Sequence, residues 1–164
     1  MAEDGFAVTV YREGGAWQCA ELPPAVIADL DVCVGALRQQ PPEGGPLALV
    51  DVADEFFVAV RLVPGASPPG DLRLLLSDMT AAVDWDLATA VLDRLGEVAP
   101  DPEELDDVWP AGDLRIFSDL GLDERELGAI LDDVDLWADE MLVMIANRIG
   151  IGPAFSRIVD TLPR

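Results

Sequence analysis

The chain has no histidine, no lysine, a single asparagine (Asn147), a single tyrosine (Tyr11) and two cysteines in 164 residues. Each shortage excludes some chemistry. Without histidine there is no imidazole to activate Ser77, Ser118, Cys19 or Cys33 as a nucleophile, and without lysine there is no amine for a Schiff base. Two cysteines without histidine argue against a zinc site. No Walker-type loop or GxGxxG occurs, and the glycine pairs in "EGGA" and "EGGP" read as turns rather than phosphate cradles. No apolar run approaches the roughly 18 residues of a membrane span. The start, "MAEDGF", is acidic and has no apolar segment of the kind a secretory signal carries, so the expected compartment is the cytoplasm, with both cysteines reduced.

What the chain has in excess is negative charge: 32 Asp and Glu against 10 basic residues, all arginine, for a formal net charge of −22. Such a surface repels phosphate backbones, which argues against direct nucleic-acid binding, and attracts basic partners. The same composition, with abundant Ala, Gly, Pro, Val and Asp, is also what GC-rich coding or a salt-adapted proteome produces. Hydrophobic residues make up 51% of the chain, enough for a packed core.

In "GFAVTVYREGGAWQCAELP" the alternation puts Phe6, Val8 and Val10 on one face and Ala7, Thr9 and Tyr11 on the other, which predicts a hairpin turning at "REGGA". "PPAVIADLDVCVGALRQQPP" predicts one helix with Val26, Ile27, Leu30, Val34 and Leu37 inward. "PLALVDV", "FFVAVRLV" and "DLRLLLSD" predict three strands, the first two joined by the short acidic turn "ADE". "AAVDWDLATAVLDRLG" predicts a second helix with a stripe of Leu87, Ala88, Val91, Leu92 and Leu95. The order ββαβββα predicts an α+β fold, an antiparallel sheet with helices packed on one face. The expected organisation is a sheet domain over 1–96, an acidic, proline-containing linker or arm over 97–112, and a cluster of short helices over 113–164. In that cluster "DLRIFSDLG" is expected as a helix capped by Asp113, and Asp123 with Glu126 as a capping box on the next.

Eight carboxylates crowd the stretch from Gly121 to Leu142. Asp123, Glu124, Glu126, Asp139 and Glu140 suit first helical turns, where they cap amides and complement the dipole. Asp132, Asp133 and Asp135 fall at a helix end, where the dipole disfavours them, and so stand out. A calcium loop beginning at Asp133 fails, because its fifth, sixth and twelfth positions are Trp137, Ala138 and Met144. Asp51, Asp54 and Asp78, near strand ends, are the weaker candidates for a divalent cation, and no cofactor is otherwise implied. Trp85, Trp109 and Trp137 each lie among acids, in "VDWDL", "DDVWPAGD" and "DVDLWADE". The candidate partner surface is therefore Asp84, Trp85, Asp86, Trp109, Asp132, Asp133, Asp135 and Trp137, aromatic anchors ringed by acids and suited to an arginine-rich protein.

Five segments carry a resemblance: "FAVTVYREGGAWQCAELP", "VADEFFVAVRL", "LRLLLSDMTAAVDWDLATAVLDRLG", "PAGDLRIFSDLGL" and "DDVDLWADEMLVMIANRIG". Together, over roughly Phe6 to Phe155, the chain resembles the actinobacterial family called tRNA adenosine deaminase-associated proteins, most specifically in the run from Leu74 to Trp85. The resemblance implies a protein partner, a tRNA adenosine deaminase, and implies no catalytic residues. The chain lacks the H-x-E and P-C-x-x-C elements that hold zinc and move protons in such deaminases. The expectation is a non-catalytic acidic accessory protein. The alternatives are an acidic nucleic-acid mimic regulating another basic protein, and a small metal-dependent enzyme using Asp51, Asp54 and Asp78.

Overall fold

A computed structural model describes residues 5–40, 45–63, 72–98, 101, 110–133 and 135–161. Strands β1 (Gly5–Glu13), β2 (Ala16–Glu21), β3 (Leu47–Val52), β4 (Phe56–Leu62), β5 (Leu72–Leu76) and β6 (Ala111–Gly112) form one sheet in the order β2-β1-β3-β4-β5-β6. Every neighbouring pair is antiparallel. The central strands β3 and β4 are buried on both faces, which explains why they read as continuous apolar runs rather than alternating ones.

Period two sorts the core into two layers. Phe6, Val8, Val10, Leu49, Phe57 and Leu75 look one way, and Ala7, Val50, Val52, Phe56, Val58 and Leu76 the other. The adjacent rings of Phe56 and Phe57 thus enter opposite layers, as the alternation requires. Helices α1 (Ala25–Ala28), α2 (Leu30–Arg38) and α3 (Asp86–Leu95) cover the second face. Helices α4 (Glu124–Leu131), α5 (Ala138–Arg148) and α6 (Gly152–Thr161) cover the first. The architecture is α+β, with the N-terminal helices on one face of the sheet as expected and the C-terminal helical cluster seated on the other.

Local differences from the sequence reading have identifiable causes. The first helix is split at Asp29, whose extended backbone (φ −142°, ψ 111°) lets its carboxylate accept from the amides of Asp31 and Val32. An N-cap inside an unbroken apolar stripe won over continuation of the helix. The second helix begins at Asp86, five residues into the segment expected to be helical, because Met79–Val83 form a 3-10 turn capped by Asp78. "DLRIFSDLG" is not an α-helix: it makes turns and a 3-10 segment at Ser118–Leu120, ending at left-handed Gly121. Asp113 still accepts from the Arg115 amide at 2.8 Å.

The two-residue strand β6 is too short for any periodic signal. Gly112 is required there, with φ 110° and a would-be Cβ only 2.1 Å from the Leu74 carbonyl oxygen. The arm expected at 97–112 falls mostly outside the described residues, as do Trp109 and Val134. Among the described residues no helix is long and apolar enough to cross a membrane.

Candidate acidic cleft

The β3–β4 turn, Ala53–Glu55, is the structural centre of the candidate site. It closes with a hydrogen bond from the Glu55 amide to the Val52 carbonyl at 3.0 Å. Both central residues, Ala53 (φ 55°) and Asp54 (φ 58°), are left-handed. That conformation matches the twist of a tight hairpin, but it is costly for alanine. On one side of this turn stands the 3-10 segment leading into α3; on the other stands the α4–α5 connection. The Ala138 amide reaches the Asp54 carbonyl at 3.4 Å.

Between them lies a cleft of about 990 Å³. It brings together Asp84 and Trp85 from one side with Asp132, Asp133, Asp135 and Trp137 from the other, over Asp54 and Asp78. Glu55, Ser77, Thr80, Leu131, Leu136 and Met141 complete most of the lining. Seven lining residues are carboxylates and none is basic. The arginines with described ion-pair partners point elsewhere: Arg94 to Asp31, Arg115 to Glu124, Arg73 to Asp113, Arg148 to Glu126, and Arg61 to Asp119.

Several of these groups are held in place. The Glu55 carboxylate accepts the Trp85 indole N–H at 2.9 Å, and the Trp85 ring tilts against Phe56 with centroids 6.1 Å apart. Trp85 is thus half-buried and anchored, the ordinary fate of a large aromatic. Trp137 is different: 64% exposed, at the start of α5, with its backbone N–H bonded to Glu140 at 3.0 Å. Asp78 accepts from the amide and the hydroxyl of Thr80, and Asp133 accepts from the Asp135 amide at 3.0 Å. Elsewhere Asp123 caps α4 through the Glu126 amide, while Glu126 pairs with Arg148 instead of closing a capping box.

Asp86 is exposed in the first turn of α3 and is not part of the lining. Asp51 sits behind the cleft, only 2% exposed, beside Asp54. Burial, then the Asp54 charge and a side-chain hydrogen bond to Asp54, and then Asp139, push its carboxyl up to about 8. Oδ1 of Asp51 and Oδ1 of Asp54 are buried without a hydrogen-bond partner. Among the described residues no group of three or more His, Cys, Asp or Glu side chains is arranged to hold a metal ion. Cys19 and Cys33 are free, and burial raises their thiols to about 11 and about 12, which makes them poor nucleophiles.

Sequence reasoning missed Glu55 and the involvement of Asp139. Glu55 was visible only as part of an acidic turn, and Asp139 only as a helix-start residue. Their roles arise from contacts far apart in the chain.

Residues 5–152 match the family described as Rv3753c-like tRNA adenosine deaminase-associated protein. Protein Rv3753c of Mycobacterium tuberculosis (strain ATCC 25618 / H37Rv) is 45% identical over 163 residues, covering 98% of this chain and 91% of that protein. No solved structure matches the chain. The match spans both layers of helices and both walls of the cleft, and the chain belongs to the Rv3753c-like tRNA adenosine deaminase-associated protein family.

Proposed function

We propose that this chain is a non-catalytic, cytoplasmic accessory protein that docks a basic surface of a tRNA adenosine deaminase in the acidic cleft. The observation that carries the reading is the gathering of seven carboxylates and two tryptophans, with no basic side chain, around one cleft. Concentrating like charge without counter-ions raises the energy of the free protein through self-repulsion, only partly screened over a Debye length of about 8 Å at physiological salt. A cationic partner relieves that repulsion on docking. Exposed Trp137 offers a face for an arginine guanidinium, a contact worth roughly 0.5–2 kcal/mol.

The choice of partner rests on the family, which is described as associated with the deaminase rather than as the deaminase itself. An enzyme that handles tRNA needs basic surface for phosphates, and the same surface suits this cleft. Docking there would modulate access of tRNA.

Native mass spectrometry of the two proteins, with and without tRNA, tests the reading. A defined complex that tRNA competes away is the expected result. The absence of any complex at micromolar concentration would refute it. Capture of an unrelated basic protein in preference to the deaminase would favour the nucleic-acid-mimic reading, which the overall charge of −22 also suits.

A further inference from the structure

Behind the cleft wall lies a cluster of carboxyl groups that the docking of a partner does not by itself explain. Asp51, at the end of β3, is 2% exposed. Its cross-strand neighbours are Phe6 on β1 and Phe57 on β4, so neither strand offers it a charge. The turn presents Asp54, and α5, which packs on β3, presents Asp139. The other acid of the α5 first turn, Glu140, is occupied with the Trp137 amide, and Glu55 is turned to Trp85. No basic group is among those acting on Asp51.

Asp51 is buried, Asp54 beside it lines the cleft, and an Oδ1 of each is shielded from water without a hydrogen-bond partner. Two such carboxyls resist ionising together, because like charges repel strongly in a medium of low dielectric and one shared proton removes the repulsion. The contact sits at a seam. Asp54 belongs to the turn, the turn's carbonyl receives the first α5 amide, and both Asp54 and Ala138 line the cleft.

We propose that Asp51 and Asp54 form a one-proton latch: while they share a proton, the start of α5 is held against the β3–β4 turn, and when the proton leaves, the seam loosens and the cleft wall moves. The proton is lost to solvent or buffer base, leaving two carboxylates facing Asp139 with nothing to neutralise them. In its consequence for binding the latch rests on the docking reading above: a cation arriving beside Asp54 favours the deprotonated pair, so docking and proton release are coupled. The latch itself is a property of the chain alone.

The test is a pH titration of the chain from about pH 6 to about 9.5. It follows the Asp51 side-chain carboxyl ¹³C shift and amide-exchange protection at residues 138–141, corrected for intrinsic exchange, in the wild type and in Asp51→Asn. Asparagine has nearly the shape of a protonated aspartate and cannot titrate. A single carboxyl transition near pH 8, with protection at α5 falling by about tenfold or more across it and staying level in the variant, is the expected result. An Asp51 shift already at its ionised value at pH 6 would overturn the proposal, as would a transition that leaves α5 protection unchanged. Should Asp51→Asn not fold, the wild-type titration decides without it. A confirmed latch in a protein that fails to bind the deaminase would leave the latch standing and remove the docking reading.

Discussion

Arg61 on β4 and Asp51 on β3 point to the same face of the sheet and are almost equally buried, at 1% and 2% exposure. Arg61 donates to the Gly45 carbonyl at 3.3 Å, to the Ile116 carbonyl at 2.8 Å, and with both terminal nitrogens to Asp119 at 2.6 and 2.9 Å. It ties the irregular segment after β6 to the sheet with a bidentate pair. Asp51 has only acids for ionisable neighbours and an oxygen with no partner. A buried charge that is fully satisfied marks a place where the fold is braced; a buried acid left without a cation marks a place where stability has been given up. The second kind of place is the one beside the cleft.

The sharpest way to break this contrast is Arg61→Ala. It leaves two backbone carbonyls and Asp119 without their donor and opens a void, and should destabilise by about 3 kcal/mol or more in urea unfolding. A loss within about 0.5 kcal/mol would mean that Arg61 is not a brace. The pH profile sharpens the contrast from the same side. Arg61 holds the Asp119 carboxyl below its ordinary range, so its contribution is present at neutral pH and is lost as acid protonates Asp119 below about pH 4.

Asp51→Asn comes next, with the opposite sign. Because its folded-state carboxyl is raised, the wild type binds a proton that the unfolded chain does not between about pH 4 and about pH 8. Stability from this group is fully present below about pH 4 and is lost as pH rises to about 8. The asparagine variant should lack that slope and be more stable than wild type by about 2 kcal/mol at pH 8. Equal slopes in thermal or urea unfolding would show that Asp51 is ionised in the native protein throughout. Asp29→Ala removes the cap that splits the first helix pair and should cost about 1 kcal/mol, a control on the opposite face of the sheet from both buried groups. The smallest change in stability is expected from neutralising Asp132, Asp133 and Asp135 together with asparagine. These exposed acids at the α4 end should shift unfolding by no more than about 0.5 kcal/mol, measured in urea.

Much of the architecture was legible because its signals are local. Alternation placed Phe6 and Val8 opposite Ala7, and Phe56 opposite Phe57; a 3.6-residue stripe marked Leu87, Val91 and Leu92. Asp29 was the right residue to stop a helix, but an uninterrupted apolar stripe concealed the stop. The two residues of β6 lacked any length over which to show a period. The cleft was legible only in pieces. The acids and tryptophans of "VDWDL" and "DVDLWADE" could be singled out, but their meeting across the β3–β4 turn depends on helices packing on opposite faces of the sheet. The same holds for Asp51 and Asp139, which are brought near each other by the docking of α5 on β3. Asp86, two positions from Asp84, turns outward on α3, a difference that composition cannot express.

The most direct test of the docking claim is isothermal titration of the tRNA adenosine deaminase with the wild type and with the Asp132→Asn, Asp133→Asn, Asp135→Asn triple variant, at low and at physiological salt. Docking through the cleft predicts that the variant, folded and equally stable, binds at least about tenfold more weakly at low salt, with the difference narrowing as salt rises. Equal affinity of the two proteins at low salt would contradict the assignment of the cleft as the docking surface.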